Sequence, residues 1–266
     1  MDTFKYQSML TRNAMPARPQ FSIIIACKNP GPQLARAAES VWDQTDTSNE
    51  LVVVDGASTD GTRDWLETHG ARLGGFLSEP DRGVYEAMNK GARLAHGEWL
   101  LFLGADDRLA STNTLAEVHQ IAAAIPEARW LCGSASYADG RVWPAPVRPN
   151  VRYRNFLHHQ AAFYHRSLFE RFQYDETLRI QADYDLNLRL WCAGIRPVPL
   201  PVRVAICSAG GLSDGGHWAN YREEIAVRHR YFPAWRCAVW DAGSVARWLR
   251  KRIVRSSPHA QGSFCL

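Results

Sequence analysis

The chain lacks any pair of cysteines at metal-binding spacing. Its six cysteines (27, 132, 192, 207, 237 and 265) are scattered, with no C-x-x-C among them. That argues against a zinc ribbon and predicts reduced thiols in a cytosolic protein. No apolar run approaches the ~18 residues that a spanning helix needs. The opening stretch MDTFKYQSMLTRNAMPARPQ has no apolar h-region, so it reads as a flexible leader over residues 1–20 and not as a secretory signal. Charge of one sign is scarce: 31 Lys and Arg against 27 Asp and Glu leave a net charge of +4. No global nucleic-acid footprint results. No G-x-G-x-x-G follows the first predicted strand, which argues against a redox dinucleotide enzyme. Internal repeats and low-complexity tracts are absent.

What is present is a core. Hydrophobic residues make up 46% of 266 positions, enough for one large domain or two small ones. Phe21–Ala26 (FSIIIA) predicts a strand, and Cys27–Pro32, with two prolines and a glycine, a turn. Leu34, Ala37, Ala38, Val41 and Trp42 form a helical stripe within Gln33–Gln44. Leu51–Asp55 predicts a second strand. Thr62 is read as the cap of a helix over Arg63–His69, with Gly70 as its stop. Gly75–Ser78 predicts a brief strand, Val84–Ala95 a helix and Glu98–Leu103 another strand. This alternation predicts a parallel α/β sheet with crossover helices. Ser111 is read as the cap of a helix reaching Ile125, and Ala128–Ser136 as a strand. Pro144, Pro146 and Pro149 mark an irregular link. Ala182–Trp191 reads as amphipathic, with Tyr184, Leu186 and Leu190 against Asp183, Asp185, Asn187 and Arg189. Val198–Ile206 carries β-branched residues and predicts a strand.

Two of these strands end in acidic turns. Leu51–Asp55 runs into Gly56–Gly61, and Glu98–Leu103 into Gly104-Ala105-Asp106-Asp107. The C-terminal edge of an open α/β sheet is where ligands bind. Carboxylates there suit a divalent cation and the phosphates it accompanies. Either turn could instead serve only its own geometry.

These turns, with the segment SEPDRGVYEAMNKG (Ser78–Gly91) and DETLRI (Asp175–Ile180) before Asp183, resemble the family 2 glycosyltransferases. Those are nucleotide-sugar-dependent enzymes of GT-A fold. The likeness is to bacterial members that build exopolysaccharide, colanic acid, capsule or lipopolysaccharide, and it covers Phe21 to Ser213. It implies a Rossmann-like, mostly parallel sheet flanked by helices, with smaller acceptor-side elements. The domain would occupy residues 21–230, with a nucleotide-binding half (21–110), an acceptor half (111–230) and a basic C-terminal tail (231–266).

The resemblance also assigns roles. Asp107 would bind a divalent metal, Mn or Mg, and Asp106 would contact the ribose or sugar. Asp55 would read the base, favouring uridine, although Cys27 and Lys28 stand where the family often has Thr and Tyr. Ala26, Lys28, Asp81 and Asn89 complete the implied nucleotide-sugar site. Asp183 would be the catalytic base of an inverting transfer, with Asp185 a surface or capping group. The implied acceptor is a saccharide or lipid-linked saccharide, and Q-x-x-R-W is absent, which favours single addition. His158, His159 and His165 form a histidine cluster: His159-Gln160 resembles an H-Q pair at an acceptor pocket, and a zinc site or a purely structural role are the alternatives. Gly210–Ser213 reads as a loop closing over the donor, with His217 as a further metal candidate. In Gly243–Arg255, Val245, Trp248, Leu249 and Ile253 stand against basic residues, as for an anionic membrane surface or a packed helix. The expected location is cytoplasmic, at the inner face of the membrane. The alternatives are a non-catalytic nucleotide-sugar or glycan-binding protein and a phosphatase of haloacid dehalogenase type with Asp55 as nucleophile. The latter lacks the second Asp two positions on, where Ala57 stands.

Overall fold

The computed structural model describes residues 18–145, 151–208 and 217–256. The Gly210–Ser213 loop, Pro146, Pro149 and Cys265 lie outside these residues, as does most of the expected leader. Strand β1 (Phe21–Cys27) leads through α1 (Gln33–Trp42) to β2 (Asn49–Asp55). Then α2 (Thr62–His69), β3 (Gly75–Ser78), α3 (Val84–Leu94) and β4 (Trp99–Leu103) follow. The second half adds β5 (Arg108–Leu109), α4 (Thr114–Ala124), β6 (Trp130–Tyr137), β7 (Val142–Trp143), β8 (Ala162–His165), α5 (Ala182–Cys192) and β9 (Val198–Cys207). Helices α6 (Trp218–Tyr231) and α7 (Ala234–Ser256) end the described chain.

The strands form one 9-stranded sheet in the order β3-β2-β1-β4-β8-β6-β9-β5, with β7 on β6. The first four are parallel, as the alternation predicts. Beyond β4 the sheet is mixed: β8 runs antiparallel to β4 and β6, while β6 and β9 are parallel. The expected α/β sheet flanked by helices is thus observed, with its parallel pairs among β1 to β4 and between β6 and β9 and its remaining pairs antiparallel. Short strands such as β8 arrive by loops rather than crossover helices, and loops permit antiparallel pairing. The chain turns from β1 to β2 on one side and returns to β4 on the other. In open α/β sheets such a reversal marks the ligand crevice, which here falls at the C-terminal ends of β1 and β4.

Strand pleating divides the core. Ile23, Ile25 and Leu101 face α1 and α4, and Ile24, Leu100 and Phe102 face α3 and α5. Each such buried side chain contributes roughly 1.5–3 kcal/mol. Helix α3 lies close against the sheet because position 91 is glycine; a β-carbon there would collide with Ile24 Cγ2.

Several local expectations change. Thr62 is the first residue of α2 and not its cap; Asp60 Oδ1 accepts both the Thr62 N–H, at 3.2 Å, and its hydroxyl, at 2.5 Å. Gly70 follows the end of α2 but opens a short 3-10 turn. Helix α4 starts at Thr114, while Ser111 Oγ accepts the Asn113 N–H at 3.1 Å just outside it. Helix α5 is not amphipathic: Asp185 and Asn187 are 2% and 0% exposed, as buried as Leu186 and Leu190. Asp185 is no surface group, since it accepts from Arg189 Nε at 2.9 Å and from the Tyr231 hydroxyl at 2.7 Å. Within the expected tail, α7 is a 23-residue helix that packs on α6. Buried Arg228 joins them, bonding Glu224, Asp241 and Ser244. Among the described residues no helix is long and apolar enough to cross a membrane, and the five described cysteines are free.

Candidate active site

The ends of β1 and β2 form one flank of the crevice. Ala26 is half-buried, and Lys28 is exposed just past the strand. A β-carbon on Gly56 would collide with Asp81 Oδ2 and lie 3.5 Å from Lys28 Cδ, so Lys28 and Asp81 converge over the turn after β2. Asp81 Oδ1 accepts the Gly83 N–H at 2.9 Å. Burial, then the charges of Asp55, Asp60 and Asp81, push the Cys27 thiol up to about 12. Lys28 is thus an exposed cation beside a group of acids.

Asp55 is fully buried. Its oxygens accept the Ser58 N–H at 3.1 Å, the Ser78 hydroxyl at 2.7 Å and the Ser58 hydroxyl. In this arrangement it holds the turn together. A base could reach it only after a serine turned away, and a nucleophilic role, as in the phosphatase alternative, has no open face. Asn89 likewise differs from expectation. It is 2% exposed, and its side chain donates to Tyr174 O at 2.9 Å and Glu176 at 3.0 Å while accepting from Tyr174 N at 2.9 Å. It ties α3 to the 174–176 loop and has no group left for a nucleotide. Lys90, on the same helix, is ion-paired to Glu79 at 2.7 Å.

The turn after β4 carries the acidic pair. Asp106 is exposed, whereas Asp107 is 4% exposed. Asp107 Oδ1 accepts the Ser208 N–H at 2.9 Å and Oδ2 accepts from Gln160 Nε2 at 2.7 Å. Ser208 also donates its hydroxyl to Asp106 O at 2.7 Å, which fixes the turn. A β-carbon at Gly104 would collide with Asp107 Oδ2, so a side chain there would displace the carboxylate. Burial, opposed by the Ser208 N–H and reinforced by the Asp106 charge, raises Asp107 to about 6. One donor on each oxygen leaves a lone pair on each. Among the described residues no three His, Cys, Asp or Glu side chains could hold a metal by themselves. Mg²⁺ and related cations commonly bind one or two carboxylates and take the rest of their shell from phosphates and water. Asp107, with Asp106 beside it, fits that mode.

Asp183 stands half-buried in the first turn of α5. Its Oδ2 accepts from Asn155 Nδ2 at 2.7 Å. Asn155 Oδ1 in turn accepts from Asn187 Nδ2 at 3.1 Å, and Asn187 Oδ1 accepts the buried Tyr164 hydroxyl at 2.9 Å. A chain of oriented amides therefore ends on this carboxylate. Burial raises Asp183 to about 6; helix-start N–H groups and Asn155 pull it down, and the Glu223 charge pushes it up. Glu223, on α6, accepts the N–H groups of Arg179, Ile180 and Gln181 at 2.9, 2.7 and 2.7 Å. The segment Asp175–Ile180 is thereby fixed from several sides: Glu176 meets Arg82 at 2.5 Å, Asp175 meets Arg230 at 2.7 Å, and Tyr85 donates to Ile180 O at 2.5 Å.

The two candidate acids share a support. Asn155 grips Asp183 and Gln160 grips Asp107, and these lie five residues apart on one segment. Gln160, Asn155, Ser208 and Glu223 were not singled out as site residues from the sequence. Only the His159-Gln160 pair carried a signal, and the glutamine is its working member. Of the three histidines of the expected cluster, only His158 and His159 come together. His158 and His159 stack at 5.9 Å, and burial lowers them to about 4 and about 3. His165 pairs with Trp99, at the end of β4 away from Asp107. His217 is exposed at the start of α6.

Comparison with known proteins identifies the family and the fold. The family model Glycosyl transferase family 2 matches residues 22–172. A PGL/p-HBAD biosynthesis glycosyltransferase of Mycobacterium bovis is 38% identical over 182 residues, covering 65% of this chain and 70% of that protein. An uncharacterized glycosyltransferase of Mycobacterium tuberculosis is 30% identical over 221 residues, covering 80% and 82%. S. aureus TarS 1–349, in complex with UDP-GlcNAc, superposes with a TM-score of 0.65 at 19% identity, covering 85% of this chain and 71% of that one. The chain spans 43% of a longer TarS chain. A mannosyltransferase from Pyrobaculum calidifontis, in complex with GDP-Man and Mn2+, gives 0.61 at 22% identity, covering 92% and 78%. The architecture is that of the GT-A glycosyltransferases.

Proposed function

Because this chain belongs to glycosyltransferase family 2, we propose that it is an inverting glycosyltransferase. It would move one hexose-type sugar from a nucleoside diphosphate donor to a saccharide or lipid-linked saccharide acceptor, in glycolipid or cell-surface polysaccharide synthesis. The observation that carries the reading is the pairing of Asp107 and Asp183, each buried enough to be raised to about 6 and each held by one end of the 155–160 segment. The mycobacterial relative's name and the UDP-GlcNAc held by TarS favour a UDP-sugar and a glycolipid acceptor. The Pyrobaculum enzyme holds GDP-Man, so both nucleotides belong in the test.

In this reading Lys28 and Asp81 line the nucleotide side, while Asp55 supports the turn beneath it. Asp107 and Asp106 would hold Mn²⁺ or Mg²⁺, which when bound neutralises charge on the leaving diphosphate. Gln160 and Ser208 keep Asp107 aimed. Asp183 accepts the proton of the acceptor hydroxyl as its oxygen bonds to the anomeric carbon and the bond to the diphosphate oxygen breaks. A base in that role is typically worth ~10²–10⁴ in rate. Asn155 orients its carboxylate, and a raised pKa strengthens it as a proton acceptor. A single displacement inverts the anomeric configuration.

The test is calorimetric binding of UDP-, GDP- and dTDP-sugars with Mn²⁺ and with EDTA, followed by NMR of the product's anomeric centre. Tight binding of one donor that EDTA abolishes, and an inverted product, are expected. A retained configuration would overturn the mechanism. Full transfer in excess EDTA would remove the metal from it.

A further inference from the structure

Helix α7 carries two unlike faces. The inner one packs: Cys237 and Ser244 are fully buried, Trp248 meets Trp218 at 5.0 Å, and Arg247 reaches Glu224 at 2.7 Å. So Trp248, expected on the apolar surface of the tail, serves the fold, and Val245 is half-buried with it. The outer face exposes Trp235 by 73%, Val239 by 75%, Leu249 by 45% and Ile253 by 66%. Ala242 and Ala246, also exposed, fill the interval. The spacing 235, 239, 242, 246, 249, 253 keeps all six within an arc of about 80° at ~100° per residue.

Charge identifies what this stripe meets. Arg236, Arg250, Lys251 and Arg252 are exposed. The one acid of the helix, Asp241, is turned inward, 2.8 Å from Arg228 and 2.7 Å from His229. We infer that α7 lies in an anionic lipid surface, with the stripe in the acyl boundary and the basic side chains at the headgroups. This is the composition of an interfacial helix. A second copy of the chain is disfavoured, because pairing along the stripe would set basic flanks against basic flanks with no outward acid between them.

The helix is also tied to the active site. Arg228, which binds Asp241 and Ser244 of α7, donates to Tyr153 O at 2.6 Å, two residues before Asn155. A surface-bound α7 would hold the acceptor side of the crevice near lipid, where a lipid-linked acceptor resides. That last step rests on the proposed function; the lipid contact does not.

The test is co-sedimentation of the full chain with vesicles of phosphatidylcholine alone or mixed with phosphatidylglycerol. The chain should favour the anionic vesicles by about tenfold or more, and salt should weaken the binding. Val239→Glu with Leu249→Glu should lose about tenfold in partition, and Arg250→Ser with Lys251→Ser should lose the lipid preference. Both variants should keep wild-type melting and donor binding, since these side chains are exposed. No binding by the wild type, equal binding to both vesicles, or unchanged binding of the Glu variant would overturn the inference. So would a dimer in sedimentation velocity that the Glu variant abolishes, which would make a second copy the occupant. Transfer to a water-soluble acceptor is read separately, so failure of lipid binding leaves the proposed chemistry standing.

Discussion

The two flanks of the crevice are held by different means. On the nucleotide side each acid is held at least in part by a near neighbour in the chain, Asp55 by Ser58, Asp60 by Thr62 and Asp81 by Gly83, with the Ser78 hydroxyl and the Gly31 N–H reaching Asp55 and Asp60 from farther away. At Asp183 and Asp107 the side-chain and loop partners are remote: Asn155 is 28 residues from Asp183, Gln160 is 53 from Asp107, and Ser208 is 101 from it. Local turns are rebuilt by any chain that forms the strand ends. Remote grips exist only when the whole sheet is assembled. They hold Asp183 and Asp107, the groups whose placement and pKa the proposed chemistry needs.

The sharpest break of this contrast is Asp183→Asn. The amide cannot take a proton, so kcat should fall by ~10²–10⁴ in single-turnover assays. Stability should move the other way. The native carboxyl titrates at about 6, above the ~3.9 of an unfolded chain. Between those values the native state keeps a proton that the unfolded chain has released. Stability therefore falls as pH rises from about 4 to about 6 and stays lower above. Asparagine removes that cost and should gain about 1–3 kcal/mol at alkaline pH, with no gain below about pH 4. Asp185→Asn, two positions on, should do the opposite. It leaves Arg189 and Arg230 short of a charge partner and should lose about 1–3 kcal/mol, discounted for their partial exposure, while kcat changes little. Urea melts and kcat on both variants decide; equal kcat losses would erase the distinction.

Next is Gln160→Leu. It removes the donor from Asp107 Oδ2 and leaves the carboxylate with the Ser208 N–H on Oδ1. Loss of such a supporting group costs roughly 10–100-fold in metal affinity. The measure is the Mn²⁺ concentration for half-maximal UDP-sugar binding. A raised value at unchanged kcat under saturating Mn²⁺ is expected. Unchanged Mn²⁺ dependence would cut Gln160 out of the site.

A smaller effect is expected from Asn155→Leu, which ends the amide chain short of Asp183. A donor to the ionised form is lost, so the Asp183 pKa should rise further above about 6. The acid limb of kcat against pH should move to higher pH, and the plateau should fall by about tenfold as the carboxylate loses its aim. A lower plateau with an unmoved limb would mean that Asn155 supports only packing.

The same contrast explains what could be read in the sequence. β1 to β4 were legible because Phe21–Ala26, Leu51–Asp55 and Glu98–Leu103 are apolar runs between turn residues, and the crossovers follow. The acidic turns were legible because each sits at a strand end. The burial of α5 was not: Asp185 and Asn187 look solvent-facing until Arg189, Tyr231 and Tyr164 are brought to them by distant segments. Nor was Asn89, whose partners, Tyr174 and Glu176, lie in a loop 85 and 87 residues on. Residues 231–266 read as a tail because Arg228, which binds α7, looks like one more charge on a polar helix. A side chain held by its own turn leaves a local pattern. A side chain held across the fold leaves none.

The mildest change tests the local side. Ser58→Ala removes one hydroxyl from buried Asp55 but leaves the Ser58 N–H and the Ser78 hydroxyl on it. The Asn29 N–H, which donates to Ser58 Oγ at 2.6 Å, also loses its acceptor, but near solvent. The net cost should be about 1–2 kcal/mol, the worth of one or two hydrogen bonds partly replaced by water. Nucleotide selectivity should be nearly unchanged, because Asp55 is then a support and the base lies beyond it. Asp55→Asn should follow the same line, losing stability more than selectivity, since an amide can still meet one serine. If calorimetry instead showed Asp55→Asn abolishing a UDP-over-GDP preference at unchanged melting temperature, the carboxylate would have to turn out of its serine cage on nucleotide binding. The nucleotide flank would then be a moving part and not a fixed one. Ser58→Ala would in that case raise UDP affinity by freeing the carboxylate, so the direction of that one change separates a rigid turn from a latch.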